Sequence, residues 1–245
     1  MKSKGANRFE GRNFDSIRPC RMTEQTFGYA DGSVLIEFGQ TKVLCNATIL
    51  ESVPRFLKDK GQGWLTAEYA MLPTATHTRS DRESVKGKQQ KRSIEIQRII
   101  GRALRQSLDL KKFGERTIHI DCDVLQADGG TRIAAINGSM VAIILALRKL
   151  QYDKVLTKDP LLTIVTAISI GWDGHQLLLD LDYQEDSRVD VDFNLIVDEQ
   201  DRMIEIQGTA EHHPISMTQV NEMISLGLKG IQAVRDIQRK FLKIS

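Results

Sequence analysis

Apolar and polar residues alternate along several short stretches of this chain, which is the pattern of β-strands with one buried face. The clearest case is residues 118–124, where every second side chain is apolar. The same alternation predicts strands at residues 34–38, 43–50 and 64–70 in the first half, and at residues 177–183, 189–197 and 203–207 in the second. A hairpin over residues 39–42 would join the first two of these strands.

Helical patterns follow the strands in both halves. Residues 133–147 are almost wholly apolar and too long for one strand, so they predict a buried helix. Residues 96–104 carry apolar side chains at helical spacing behind a helix start near Ser93. The last helix begins after Ser216, which together with Gln219 has the sequence of a capping box. Strands followed by a helix, twice, predict an α/β fold with internal duplication.

The composition bounds the class of protein. A chain of 245 residues suits one large domain or two small ones. Because no linker rich in Pro, Gly or Ser divides it, we predict a single domain over residues 15–245, preceded by a flexible arm at residues 1–14 that has no hydrophobic period. No apolar run reaches the length that spans a bilayer, and Cys20, Cys45 and Cys122 form no Cys-x-x-Cys pair. We therefore expect a cytoplasmic protein with no membrane partner.

The loop between the strand at residues 118–124 and the buried helix has the composition of an anion site. Gly129 and Gly130 let the backbone approach a ligand closely, and the N-terminus of the following helix favours negative charge. Thr131 adds a hydroxyl group, and Arg132 adds a forked donor that matches phosphate oxygens. No Gly-Lys-Ser/Thr follows at the spacing of a Walker loop, so ATP is not implied. The alternative is an ordinary strand-to-helix turn with a surface arginine.

Positive charge is concentrated in one segment. The net charge of +2 is too small to imply nucleic acid by itself, but residues 77–92 hold a cluster of cations against only Asp81 and Glu83. These cations are Arg79, Arg82, Lys86, Lys88, Lys91 and Arg92. A flexible basic loop is suited to a phosphate backbone, and a solvated charged face is the alternative.

Carboxylates are concentrated on the predicted strand at residues 189–197. Asp190, Asp192 and Asn194 share its polar face, where residues two apart stand about 7 Å from each other. Asp186 lies just before the strand and could fold back beside them. One or two carboxylates together with substrate phosphate oxygens are the usual site for Mg²⁺. A solvated acidic strand face is the alternative.

Long segments of this chain, in the same order, resemble ribonuclease PH, the phosphorolytic 3′-to-5′ exoribonuclease family. The matching segments are residues 32–45, 53–57, 61–69, 76–79, 94–98, 121–132, 185–187 and 205–211. The resemblance implies a two-layer α/β fold of internally duplicated βαβα-like units. It also implies assembly into a homohexamer, a trimer of dimers.

The activity that the resemblance implies is that of a phosphate-dependent exoribonuclease, also called a tRNA nucleotidyltransferase. Inorganic phosphate, as a co-substrate, would attack the terminal phosphodiester of a tRNA precursor and release a nucleoside diphosphate. The reverse reaction would add nucleotides from diphosphates, and rRNA is a second implied substrate. Mg²⁺ is the implied cofactor, and RNA 3′ ends are the implied partners.

The resemblance also assigns roles to individual residues. Those assigned to inorganic phosphate are Arg92, Gly130, Thr131 and Arg132. Those assigned to RNA binding are Arg55, Arg79 and Arg82. Asp186 and Asp192 match the acidic pair that would act in catalysis and hold the metal, and the alternative pair is Asp190 with Asp192.

The chain departs from the family pattern at two places, and two other functions compete with the implied one. Thr74 stands where the family usually has a third arginine of the basic loop, which puts a tight grip on tRNA in doubt. Gln90 and Lys91 replace a glycine pair before Arg92, and Lys91 adds a cation that could compensate. The first competing function is a catalytically silent ring subunit that binds RNA and scaffolds other proteins. The second is a hydrolytic nuclease that uses the acidic strand with two metals.

Overall fold

Two β-sheets with helices packed between them make up the fold. The computed structural model describes residue 8 and residues 11–25, 28–83, 85, 87–211 and 213–244. Most of the arm predicted at residues 1–14, and Lys86 of the basic segment, therefore lie outside the described residues.

The first sheet contains the four strands predicted for the first half of the chain and one edge strand, at Cys20–Glu24, that was not predicted. In sheet order its strands are β1 (Cys20–Glu24), β2 (Gly32–Phe38), β3 (Thr41–Leu50), β5 (Thr117–Gln126) and β4 (Trp64–Met71). β4 and β5 run parallel, and the other neighbours are antiparallel. β2 and β3 form the predicted hairpin, whose tight turn holds Gly39 at a φ of 53°. Glycine adopts this conformation without strain.

The second sheet is antiparallel throughout and differs from the prediction by one additional strand, one shortened strand and shifted strand ends. Its strands, in sheet order, are β7 (Leu177–Leu179), β6 (Thr166–Trp172), β8 (Val191–Val197) and β9 (Met203–Ala210). β6 is absent from the prediction because nearly all of its residues are buried on both faces, which removes the alternation. The strand predicted over residues 177–183 ends at Leu179 because Asp180 turns the chain at a φ of 56°. Asp182 then caps the one-turn helix α4 (Tyr183–Asp186).

Helix α3 (Thr131–Tyr152) is the predicted buried helix and separates the two sheets. A Cβ added at Gly138 would lie 2.7 Å from Cys45 Sγ of β3, so the helix packs closely on the first sheet. On the other side, the Asn137 amide exchanges two hydrogen bonds of 2.9 Å with the backbone of Ala167 in β6. Contrary to expectation, α3 is long and apolar enough to cross a membrane by composition alone. However, 83% of that apolar window is buried inside the protein, where it forms the core.

The remaining helices complete the two halves. They are α1 (Lys91–Arg105), α2 (Leu110–Phe113) and α5 (Met217–Leu242). The capping box predicted for the last helix is confirmed, since Gln219 N donates to Ser216 Oγ at 3.2 Å and Ser216 N donates to Gln219 Oε1 at 2.9 Å. One continuous apolar cluster runs through both sheets and through α1, α3 and α5. Each half is thus a sheet with helices packed on it, which confirms the predicted α/β fold of two-layer units.

Candidate active site

A cavity of about 970 Å³ opens where α1 and α3 begin and where α4 approaches β8. It brings together side chains that are far apart in the sequence. The predicted site residues that line it are Arg92, Gly130, Thr131, Arg132, Asp186 and Asp192. Both the phosphate-binding and the acidic residues expected from the sequence therefore face the same space.

The phosphate loop, residues 128–132, forms one wall of the cavity. Gly130 is the N-cap of α3 in the left-handed conformation, with a φ of 65°, and it supplies no capping side chain. The first N–H groups of α3 are therefore free of a capping side chain and available to an anion. Gly129 is required for a second reason, because a Cβ there would lie 2.5 Å from the carbonyl carbon of Asp182. The loop and the segment before α4 are in direct backbone contact.

Two side chains orient the polar groups of this loop. The Thr131 hydroxyl lies 2.7 Å from the Tyr69 hydroxyl, and burial raises the pKa of Tyr69 to about 12, so the phenol keeps its proton at neutral pH. Arg132 Nη1 donates to Gln207 Oε1 of β9 at 2.9 Å. Tyr69 is buried, and the sequence contained no signal for its hydroxyl contact or for Gln207.

Arg92 is the second residue of α1 and is exposed to the cavity. Across the described parts of the chain, its guanidinium makes no hydrogen bond or ion pair. The N-cap of α1, Gln90, also makes no side-chain capping bond. The cavity therefore contains a cation without a hydrogen-bonded partner, which suits an anionic ligand. The start of α1 itself already holds a carboxylate, because Gln90 N and Ser93 Oγ both donate to Glu83.

The wall of the cavity that we call the acidic wall consists of Asp186 at the end of α4 and Asp192 in β8. Desolvation by the cavity walls raises the pKa of both carboxyl groups, and the charge of Asp186 raises that of Asp192 further. Arg92 and Arg132 act in the opposite direction on both. Asn194 Nδ2 donates to both oxygens of Asp192 at 3.3 Å. Two carboxylates and two guanidinium groups thus share one electrostatic environment.

Asp190, the alternative partner of Asp192, is not among the residues that line the cavity. Its carboxylate lies 2.9 Å from the position that a Cβ on Gly174 would occupy, so it faces the turn between β6 and β7. The alternation rule fails here because β8 begins only at Val191. The structure therefore brings Asp186, and not Asp190, beside Asp192.

The donor set of the cavity fits a hard cation that is shared with a ligand. Over the described residues there is no group of three or more His, Cys, Asp or Glu side chains that could hold a metal ion. Asp186 and Asp192 offer carboxylate oxygens next to a wall that is suited to phosphate. Mg²⁺ is typically bound by one or two carboxylates together with substrate phosphate oxygens, and these two residues match that requirement.

The residues expected to bind RNA lie outside the cavity. Arg55 is exposed in the one-turn 3-10 helix Arg55–Leu57, between β3 and β4. Arg79 and Arg82 are exposed in the loop between β4 and α1, and Arg79 is paired with Asp81 at 3.5 Å. Thr74, where the family usually has arginine, is also exposed. Other residues of this loop, such as His77 and Ser80, line the cavity, so the loop lies at its rim.

The chain matches known proteins over most of its length. Residues 16–149 match the model of the 3′ exoribonuclease family, domain 1, and residues 163–230 match domain 2 of the same family. Rice (Oryza sativa) Rrp46 is similar in structure, with a TM-score of 0.76, 20% identity, and coverage of 95% of this chain and 99% of that chain.

Two archaeal structures are also similar. The Archaeoglobus fulgidus exosome with RNA bound to the active site has a TM-score of 0.75 and 22% identity, and covers 94% of this chain and 92% of that chain. An archaeal exosome core has a TM-score of 0.69 and 20% identity, and the match covers 95% of this chain and 90% of that chain. These three likenesses concern the fold, whereas the two family models account for both halves of the sequence. The chain belongs to the ribonuclease PH family of 3′ exoribonucleases.

Proposed function

We propose that this protein is a phosphate-dependent 3′-to-5′ exoribonuclease, a tRNA nucleotidyltransferase that trims the 3′ ends of tRNA precursors. The observation that carries the proposal is one cavity with Arg92, Arg132 and the uncapped N-terminus of α3 on one wall and the carboxylates of Asp186 and Asp192 on the other. An enzyme that joins inorganic phosphate to a phosphodiester needs both walls. One holds the nucleophile, and the other stabilises the group under attack.

In this reaction the attacking inorganic phosphate is held by Arg92, Arg132, the Thr131 hydroxyl and the backbone N–H groups at Gly130. A phosphate oxygen forms a bond to the terminal phosphorus of the RNA. The bond from that phosphorus to the 3′-oxygen of the preceding nucleotide breaks, and this oxygen takes up a proton. A nucleoside diphosphate leaves. The reverse reaction, which adds nucleotides from diphosphates, passes through the same transition state.

Asp186 and Asp192 would hold Mg²⁺ in this proposal. When bound, the metal supplies positive charge that offsets the negative charge developing on the scissile phosphate. Asp186 and Asp192 themselves place two ionised carboxylates at the acidic wall of the cavity. Asn194 assists by donating hydrogen bonds to Asp192. The cationic charge of Arg92 and Arg132 favours that ionised state.

The remaining parts of the proposal concern the RNA and the assembly. Arg55, Arg79 and Arg82 would grip the RNA backbone outside the cavity, where exposed cations act through charge. The proposed substrates are tRNA precursors first and rRNA second, and the proposed compartment is the cytoplasm. We also propose a homohexamer built as a trimer of dimers. Measuring the mass of the purified chain in solution tests this, because a subunit that needs different partner chains would not form such a ring alone.

A labelled tRNA precursor, incubated with and without inorganic phosphate, tests the activity. We expect trimming only with phosphate, and nucleoside diphosphates as the products. Monophosphates released at full rate without phosphate would instead establish the hydrolytic nuclease. RNA binding without any trimming under either condition would establish the silent ring subunit.

A further inference from the structure

Five charged side chains that do not line the cavity form a buried network directly behind it. They are Arg8, Arg12, Arg18, Asp180 and Glu185, and we call them the arginine–carboxylate cluster. Two of its arginines come from the predicted flexible arm at residues 1–14. The described residues of that arm, Arg8 and residues 11–14, therefore include side chains with fixed partners. The cluster joins three segments that are far apart in the sequence.

Arg18 supports the phosphate loop from behind. Its side chain is 1% exposed and is paired with Asp180 through Nε at 3.0 Å and through Nη2 at 2.7 Å. Its third nitrogen, Nη1, donates to the backbone oxygen of Asp128 at 2.6 Å. Thr41 supports the same loop, since its hydroxyl donates to Gly129 O at 2.6 Å and accepts from Asp128 N at 2.9 Å. The backbone just before α3 is held by two buried side chains.

Glu185 supports the acidic wall in the same way that Arg18 supports the phosphate loop, because Glu185 immediately precedes Asp186. Its oxygens accept from Arg8 Nε at 2.6 Å and from Arg12 Nη2 at 3.0 Å. The same carboxylate accepts from the backbone of Asp182 and completes the capping box of α4. Both arginines therefore determine the position of α4, the turn that carries Asp186, which we call the carboxylate turn.

The two supports are linked to each other. Arg12 Nη2 also donates to the backbone oxygen of Asp180, at 2.7 Å, so the arginine that holds Glu185 also holds the residue that pairs with Arg18. Burial alone would lower the pKa of Arg18, but Asp180 raises it. Burial alone would raise the pKa of Glu185, but Arg8 and Arg12 lower it. Arg18 and Glu185 therefore both remain charged at neutral pH.

A buried ion network is weak evidence for added stability, because desolvation of the charges offsets their attraction. What the cluster does provide is geometry. Planar guanidinium groups with several donors fix the distance and angle between the segments they join. Here the joined segments are the two walls of the cavity.

We propose that the arginine–carboxylate cluster is a positioning device that holds the carboxylate turn at a fixed distance from the phosphate loop. Arg18 sets the loop through Asp128, and Arg8 and Arg12 set Asp186 through Glu185. This inference rests on the proposed function, because the alignment of the two walls matters for a phosphate that must attack in line. The cluster residues do not line the cavity and position it through their neighbours.

Two cluster variants and one matched control test the proposal. Arg12→Gln removes one of the two arginines that hold Glu185, and Arg18→Gln removes one of the two side chains that hold the phosphate loop. Arg235→Gln is the control, because the Arg235 side chain is 6% exposed against 7% for Arg12 and also forms an ion pair, with Asp201, whereas Arg12 pairs with both Asp180 and Glu185. Arg235 belongs to α5 and supports the turn between β8 and β9. Each variant is compared by thermal unfolding, by the rate constant kcat, and by the phosphate concentration for half-maximal rate.

We expect different results from the two supports. Arg12→Gln should lower kcat about 100-fold, the order of loss caused by misplacing a group by roughly 1 Å, and leave the phosphate response unchanged. Arg18→Gln should raise the phosphate concentration for half-maximal rate about tenfold, the effect of losing about 1.4 kcal/mol of phosphate binding. Arg18→Lys should show the same phosphate defect, because it keeps the charge but loses the fork. Arg235→Gln should lower the unfolding temperature and change neither kinetic constant.

Binding measurements without turnover separate positioning from a general loss of folded protein. Inorganic phosphate alone, titrated by calorimetry, should bind more weakly to Arg18→Gln but not to Arg12→Gln. Mn²⁺ binding in the presence of inorganic phosphate, followed by electron paramagnetic resonance, should be weaker in Arg12→Gln but unchanged in Arg18→Gln. If Arg18→Gln does not fold, Thr41→Val loosens the same loop from its other support and should weaken phosphate binding in the same direction.

The outcomes distinguish this proposal from the one on which it rests. If folded cluster variants lose stability as Arg235→Gln does but keep wild-type kinetics and ligand binding, the cluster is only structural and the proposal is wrong. Full recovery of phosphate binding in Arg18→Lys would also contradict it, because charge alone would then suffice. If the wild-type protein does not require phosphate at all, the proposed function itself fails.

Discussion

The phosphate loop at residues 128–132 and the basic loop at residues 72–90 would both contact phosphate groups, but they are built in opposite ways. The first is short, begins a buried helix, and has Arg18 and Thr41 behind its backbone. The second is largely exposed, and its Arg79 forms only a surface ion pair. A buried support fixes donors in place, whereas exposed cations attract a charged chain without fixing its position. The comparison predicts that the first loop controls rate and the second controls affinity.

The largest effect on the reaction rate should come from a change in the acidic wall, opposite the phosphate loop. Asp192→Asn should lower the phosphorolysis rate about a thousandfold or more while leaving RNA affinity nearly unchanged, because the carboxylate is assigned to charge stabilisation and not to the RNA grip. Asp190→Asn is the control and should have a mild effect, since Asp190 faces the β6–β7 turn. Single-turnover rates and RNA binding are measured on both variants. Equal losses of rate would show that the acidic pair has been assigned wrongly.

The next effect concerns the unpaired cation of the cavity. Arg92→Ala should raise the phosphate concentration for half-maximal rate by roughly 10- to 100-fold, since hydrogen bonds to charged groups contribute about 1.5–3 kcal/mol. The affinity for RNA should change little, because Arg92 lies inside the cavity and not on the loop at its rim. A phosphate titration of the rate, alongside RNA binding, checks both parts. A loss of RNA affinity with a normal phosphate response would remove the distinction between the two loops.

Changes in the basic loop should have a smaller effect of a different kind. The double variant Arg79→Ala with Arg82→Ala should weaken RNA binding and lower the slope of log affinity against log salt by roughly 1.4, at about 0.7 for each phosphate contact to single-stranded RNA. The phosphate response of the remaining activity should stay normal. Salt titrations of tRNA binding test this. An unchanged slope would mean that these arginines do not contact the RNA backbone.

The smallest effect should be a gain in stability at the acidic wall. The pKa of Asp192 is raised by desolvation and by the charge of Asp186, so its ionisation destabilises the folded state. Asp192→Asn should therefore stabilise the metal-free protein at neutral pH by roughly 1 kcal/mol, the usual size of a point-mutation effect. The gain should shrink as the pH falls through the raised pKa, and it should vanish below about 3.9, where the group is protonated in the unfolded chain too. Chemical unfolding at several pH values measures it.

The phosphate loop could be predicted from the sequence because its signals are local. Two glycines, a hydroxyl and an arginine follow a strand with regular alternation and precede an apolar helix, and each of these features is encoded within a few residues. The acidic wall was harder to predict. The alternation rule grouped Asp190 with Asp192, but β8 begins after Asp190, so the rule did not apply to it. β6 was missed for a related reason, because a strand buried on both faces has no alternation.

The sequence by itself determined most of the strands and helices, the place of the glycine loop before α3, and the family to which the chain belongs, because periodicity, turn residues and long motifs are properties of the chain in order. Only the tertiary structure decided which carboxylate faces the phosphate loop and what supports it. Arg18 and Asp180 are 162 residues apart, and Arg8 and Glu185 are 177 apart. No local pattern encodes such pairs. They follow from how the two sheets pack around α3, which brings the N-terminal segment, the phosphate loop and the carboxylate turn to one place.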